Sequence, residues 1–211
     1  MGISRPRRLI GLTKIKSMNI HQLSVSYQLE QDRILMSLNT VEGQEMQVWL
    51  TRRIILGLWP LLNRLAIDHY AVPADARSDG FVDLQALDQK TRTMLADMRR
   101  QEVLQTLDFQ TPYKSGNGGK PLGDAPLLLT EINLTPLDTG SLHLRFHEKL
   151  VNAAPARSFE MQIPAEIIFS LLQLLGLAVQ QSQWTAVGIA TVFENEAEAS
   201  LANDTRPLYL N

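Results

Sequence analysis

The sequence predicts an α+β fold built from two β-β-β-α units, with antiparallel sheets, apolar helices, an inserted helix and a flexible linker. Three observations carry that expectation. Met46 to Leu62 lies over Phe159 to Leu175 at a constant offset of 113 residues, without a gap. Met46, Val48 and Leu50 fall on Phe159, Met161 and Ile163, and Ile54, Ile55, Leu56, Leu58, Leu61 and Leu62 fall on Ile167, Ile168, Phe169, Leu171, Leu174 and Leu175. Each copy passes from a period-2 run straight into a helical apolar run, and two further alternating runs precede each of them.

The first unit, over 18–70, opens with Leu23, Val25 and Tyr27 alternating against Gln22, Ser24 and Ser26. Such alternation is a strand with one buried face. Glu30-Gln31-Asp32 turns the chain, Ile34, Met36 and Leu38 form the next strand, and Val41-Glu42-Gly43-Gln44 turns it again. Met46 to Leu50 is the third strand. Thr51 suits an N-cap, because its hydroxyl can accept from free amides of the first helical turn. The helix from Arg52 to about Tyr70 contains Pro60, which removes a donor and predicts a kink.

The insert spans 71–126. Pro73 to Gly80 reads as a loop, and Asp83 as the cap of a helix over Leu84 to about Leu107, with Leu84, Leu87, Met94, Leu95 and Met98 along one side. Thr111 to Pro126 holds four glycines and three prolines and reads as a mobile linker. The second unit, over 127–184, has strands over Leu128 to Leu134, Leu142 to Phe146 and Phe159 to Ile163. A turn covers Leu137 to Gly140 and a loop Asn152 to Arg157. Pro164 suits the first helical position of a helix running to about Gln183. Over 185–211, Val187 to Phe193 reads as a final strand before an acidic segment with Glu194, Glu196, Glu198 and Asp204.

Both unit helices are apolar on more than one side, so each needs cover on two sides. Leu58, Trp59, Leu62, Leu171, Leu172 and Leu175 are therefore expected at the junction of the two units or at a homo-oligomer contact, most simply a twofold dimer.

The chain carries no cysteine, which excludes disulfides, thiolate catalysis and cysteine-based metal sites. Residues 1–17 hold Arg5, Arg7, Arg8, Lys14 and Lys16 and no acid, a charge of +5, which leaves −7 on the remainder of a chain whose net charge is −2. This basic arm reads as a flexible phosphate-binding segment, or as an extension ahead of a start at Met18. It has no apolar stretch of signal-peptide length. The longest apolar run, Ile167 to Val179, is broken by Ser170, Gln173 and Gly176 and falls short of the ~20 residues of a membrane span. A soluble, cytoplasmic protein is the expectation.

No motif specifies a reaction. Leu137-Asp138-Thr139-Gly140-Ser141 matches the aspartic-protease signature, in which paired carboxylates share a proton. The corresponding turn of the first unit, Glu30-Gln31-Asp32-Arg33, is no second copy, and Asp and Gly are ordinary turn residues. Gly116-Asn117-Gly118-Gly119-Lys120 fails as a phosphate loop, since Pro121 stands where Ser or Thr is required. His143 and His147 share a strand face with Arg145 between them, a poor metal site. His21 and His69 are isolated, and Arg52 and Arg53 at a helix start read as solvated. Neither a cofactor nor a metal is expected.

The order of strands then helix, occurring twice, resembles the single-strand DNA-binding folds of the Whirly and PC4 type in topology alone. That resemblance implies a curved sheet facing nucleic acid, with Arg33, Trp49 and Arg145 joining the arm as contacts. Single-strand binders combine a basic groove with exposed aromatics. The remaining outer-face residues are neutral and the body is acidic. The leading expectation is thus a non-enzymatic oligomeric binding or assembly protein, with single-stranded nucleic-acid binding second and an aspartic-type hydrolase through Asp138 third.

Overall fold

The computed structural model describes residues 20–71, 86–107, 111–150 and 156–184. Mixed α and β content is what it shows: two sheets and three helices. In the first sheet β1 (Ile20–Gln28), β2 (Arg33–Thr40) and β3 (Glu45–Leu50) form an antiparallel meander, and the short β4 (Leu127–Leu128) pairs parallel to β3. A single 3-10 turn over Leu29–Gln31 joins β1 to β2, closed by Asp32 in the left-handed region at φ 47°. Asn and Asp tolerate that conformation better than most residues. Gly43, at φ 78°, closes the second turn, where its amide donates to the Thr40 carbonyl.

The second sheet is the meander β5 (Glu131–Pro136), β6 (Ser141–Glu148) and β7 (Arg157–Pro164). Its pairing follows that of the first. In the first sheet Met36 lies opposite Val25 and Val48, and in the second Leu144 lies opposite Leu134 and Met161. The single strand expected over Leu128 to Leu134 is instead two. Between β4 and β5 the chain changes sheets: the Leu129 amide donates to the Trp49 carbonyl and the Thr130 amide to the His147 carbonyl.

Helix α1 (Arg52–His69) follows β3, and the Thr51 hydroxyl accepts from the Ile54 amide at 3.4 Å, as an N-cap should. The helix runs through Pro60 without interruption. Helix α3 (Ala165–Ser182) follows β7, with Pro164 one position earlier than expected, as the N-cap. The helices lie on each other's units: α3 packs along β1, and α1 touches β5. Between the sheets, Met36 and Leu50 meet Ile132, Leu144 and Phe146, with Leu58 and Leu62 of α1 and Leu171 and Leu175 of α3 among them. Phe146 and Phe159 stack with ring centres 4.4 Å apart. Each such buried side chain contributes roughly 1.5–3 kcal/mol through removal from water. By length and composition α3 could cross a membrane, with mean hydropathy 1.3 over its eighteen residues, yet half of it is covered by the strands and helices around it.

Helix α2 (Gln89–Thr106) departs from the sequence expectation. Its N-cap is Asp88, whose carboxylate accepts from the Thr91 amide at 2.9 Å and the Thr91 hydroxyl at 2.8 Å. Asp83 and Leu84 lie outside the described residues, as do the loop at 73–80, the strand expected at 187–193 and the acidic segment after it. Met94 and Met98 are exposed, and the buried positions are Ala96 and Val103. Arginines fix this orientation. Arg92 reaches Asp68 of α1, while Arg99 and Arg100 reach Glu166 and Gln173 of α3. Long stems lie across the helix junction and the forked heads find partners there, so an apolar stripe is not needed.

Candidate functional site

The stretch expected as a mobile linker is a strap across the first sheet. At one end its backbone satisfies β-sheet side chains: the Lys114 carbonyl accepts from Asn39 Nδ2 at 2.7 Å, and the Lys114 amide donates to Gln22 Oε1 at 3.0 Å. The Gly118 amide donates to the Gly43 carbonyl at 2.7 Å, and the Glu45 amide to the Gly119 carbonyl at 3.0 Å. Glycine is required here by distance. A Cβ on Gly116 would lie 2.1 Å from the Gly43 carbonyl oxygen, and one on Gly118 would lie 2.5 Å from that of Glu42. At the other end, Arg157 donates to the carbonyls of Leu122, Ala125 and Pro126 while pairing with Glu148 through Nε and a second nitrogen. Composition alone pointed to mobility. The glycines instead permit backbone-to-backbone approach, and buried polar groups of the sheet require the strap's carbonyls and amides.

Two of those groups are unusual for strand positions. Glu45 is 3% exposed, accepts from the Tyr113 hydroxyl at 3.1 Å and has Lys120 Nζ at 3.9 Å. Burial, and then the Glu45 charge, pushes the Tyr113 hydroxyl pKa upward, so it stays a donor. Asn39 is 4% exposed; its Nδ2 serves Lys114 and Gln22, while its Oδ1 has no donor.

The strap, β1 and α3 enclose a half-open groove of about 790 Å³. Every residue from Ile20 to Val25 lines it. Side chains alternate between the two faces of a strand. Six consecutive residues lining one cavity fit a cavity that runs along the strand's edge, where residues of both faces border it. Among the described strands β1 is terminal in its sheet, and β2 is its sole neighbour. Gln22 and Ser24 meet the strap on one side of that edge, with Asn39, while Leu23 and Val25 face α3, where Ile167, Ser170 and Leu174 form the other wall. Among the described residues no carboxylate lines the groove, whereas Lys114 and His21 do. Both are exposed, and neither side chain has an ion-pair or hydrogen-bond partner. His21 sits at a register irregularity between Ile20 and Gln22.

Of the residues expected at an apolar interface, Leu58, Leu62, Leu171, Leu172 and Leu175 are all buried within one copy, at the junction of the two units. Trp59 is half-buried, and its ring approaches Gly176 of α3, where a Cβ would lie 3.0 Å from it. Much of the apolar surface of α3 is covered within one copy, by β1 on one side and α1 and α2 on others, while Leu61 of α1 and Leu177 of α3 stay exposed.

The residues expected to touch nucleic acid are scattered. Arg5, Arg7, Arg8, Lys14 and Lys16 lie outside the described residues. Arg33 and Trp49 are half-buried on the first sheet. Arg145, on the second, pairs with Glu160 at 2.7 Å, and His143 meets the same carboxylate at 3.2 Å. Partial burial pushes Glu160 upward, but Arg145 and then His143 outweigh it and hold its carboxyl below the usual range. The cation is thus neutralised across the strands. Asp138 is exposed in the β5–β6 hairpin turn, which Gly140 closes at φ 76°. Lys120 turns to Glu45, with no helix following it. No cluster of three metal-ligating side chains occurs among the described residues.

Sequence reasoning missed the groove. The strap beside it left one legible trace, Glu45, an acid next to the apolar strand Met46 to Leu50, which demands a partner if buried.

No protein-family model, curated protein or solved structure matches this chain.

Proposed function

We propose that this chain is a non-enzymatic binding protein whose ligand site is the groove along the edge of β1 that no described strand pairs with. The observation that carries the reading is the lining of one 790 Å³ cavity by six successive strand residues together with Asn39, a buried amide whose Oδ1 lacks a donor. That volume falls in the range of ordinary ligand sites, and the walls have their usual character, apolar with a few polar groups. Ile20, Leu23, Val25, Ile167 and Leu174 supply the apolar surface, and Lys114 supplies charge.

A titration with the apolar anion anilinonaphthalene sulfonate, followed by fluorescence, tests the site. Saturable binding is expected, weakened at least tenfold by Lys114→Glu and abolished by Ile167→Trp, which fills the groove from α3. Fluorescence that neither substitution alters would remove the groove from consideration.

A further inference from the structure

We infer that the occupant of this groove is an extended peptide segment, added to the first sheet as a strand beside β1; the inference rests on the groove being the binding site. The case begins with the backbone. An edge strand presents a row of unpaired N–H and C=O groups, which a second extended chain satisfies in register. Along Ile20 to Val25 the edge turned away from β2 borders the cavity, which residues of both strand faces line. Among the described residues none of its N–H and C=O groups makes a backbone hydrogen bond outside the β1–β2 ladder. An apolar molecule would leave this row unmatched, whereas a peptide carries donors and acceptors at the same repeat.

Dimensions and charge narrow the occupant further. Six residues of strand extend about 20 Å. The groove follows β1 over six residues, and its volume holds a single segment of that length. The strap on one side and α3 on the other recess the edge. Walls on both sides suit one isolated strand better than the edge of a second copy's sheet with its own flanking layers. Side chains of the incoming segment alternate between the strap and α3. Those toward α3 meet Leu23, Val25, Ile167 and Leu174 and are expected to be apolar. Those toward the strap meet Gln22, Ser24 and Asn39, whose orphaned Oδ1 can take a hydroxyl or amide donor. Lys114, whose side chain meets no acid among the described residues, favours a segment with an acidic residue or a terminal carboxylate at that end.

The test selects a phage-displayed pool of random linear heptapeptides on the full chain, with the Lys114→Glu variant as the counter-bait. Lys114 holds the strap through its backbone, so reversing the side chain's charge keeps that wall. Enriched peptides are expected to alternate apolar and polar residues and to include Asp or Glu. As synthetic peptides they should bind the variant at least tenfold more weakly. Bound peptide should slow hydrogen exchange at alternate amides of Ile20 to Val25 at least tenfold. Absence of enrichment over the counter-bait overturns the inference, as does a bound peptide that protects no amide of β1. Decanoate provides the separating arm. If it perturbs groove resonances while no peptide does, the site stands and its ligand is an amphipathic acid. If neither probe perturbs the groove, the binding reading itself fails.

Discussion

Gly116→Ala tests the strap most directly. A methyl at this position would sit 2.1 Å from the Gly43 carbonyl oxygen and 2.8 Å from its carbon. Ordinary carbon-to-oxygen contacts begin near ~3.3 Å, so one backbone must retreat by about 1 Å. Neither can do so cheaply. The Gly118–Gly43 and Glu45–Gly119 hydrogen bonds, at 2.7 and 3.0 Å, flank the contact. Losing both costs about 2 kcal/mol at about 1 kcal/mol each. Retreat also strains the Tyr113–Glu45 bond, and a buried acceptor left unsatisfied adds ~1–3 kcal/mol. A loss of about 3–5 kcal/mol is expected in urea unfolding followed by circular dichroism, with faster exchange at the Gly118 and Glu45 amides. Ser115→Ala is the control, because this exposed neighbour uses no side-chain bond to hold the strap; its effect should stay within ~0.5 kcal/mol. If Gly116→Ala is no more destabilising than that control and both amides exchange as before, the strap is not held as described.

Gly57 is exposed within α1 with nothing inside 4 Å of an added Cβ, so Gly57→Ala should raise stability by about 1 kcal/mol, read as a rise of a few degrees in Tm. The Arg157 guanidinium, then the Leu128 amide, outweigh burial and hold the Glu148 carboxyl below its usual range. A depressed folded pKa means this stabilisation is full above the unfolded carboxyl pKa of ~4.3 and is lost as pH falls through the folded value. Glu148→Gln should therefore destabilise by about 2 kcal/mol at pH 7 and flatten the decline of urea midpoints below pH 4.3; an unchanged acid limb would contradict the pairing. Asp138→Asn, in an exposed turn, should leave the unfolding midpoint unchanged within ~0.5 kcal/mol. Since Leu58, Leu62, Leu171, Leu172 and Leu175 are covered within one copy, sedimentation equilibrium at micromolar concentration should return the monomer mass of 23.7 kDa; a stable dimer would require an interface elsewhere, such as the exposed Leu61 and Leu177.

The strands and unit helices were legible because their signals are local. Alternation at Leu23, Val25 and Tyr27 and at Leu142, Leu144 and Phe146 reports a buried face whatever lies opposite. Thr51 could be read as a cap because capping involves residues three apart. The partners of the two unit helices were not legible. Apolar residues all round α3 demanded cover, but periodicity does not say whether β1, another helix or another molecule supplies it. The insert failed for a related reason. Met94 and Met98 looked like a core stripe, whereas Arg92, Arg99 and Arg100 dock α2 through distant partners at Asp68, Glu166 and Gln173. The groove was least legible of all, because an edge is a property of strand order, and strand order is set by contacts between residues far apart in sequence.

The treatment of that edge differs from the common one. Sheets generally guard exposed edges with charge, proline, bulges or cover. In the second sheet, β7 carries Arg157, Glu160 and Pro164, and β5 begins at Glu131 and ends at Pro136. Along β1, Gln22 to Val25 contains no charge and no proline, and the sole irregularity lies at His21. Protection comes from depth, with the strap on one side and α3 on the other. Such walls shield the edge from another sheet while leaving space for a single strand. They are also fixed before anything binds. Moving the strap breaks the contacts of Asn39 and Glu45, and moving the start of α3 breaks the Arg99–Glu166 and Arg100–Gln173 bridges to α2. A preformed groove spares the ligand the entropy of ordering its site, which is where much of the cost of binding an extended segment otherwise falls.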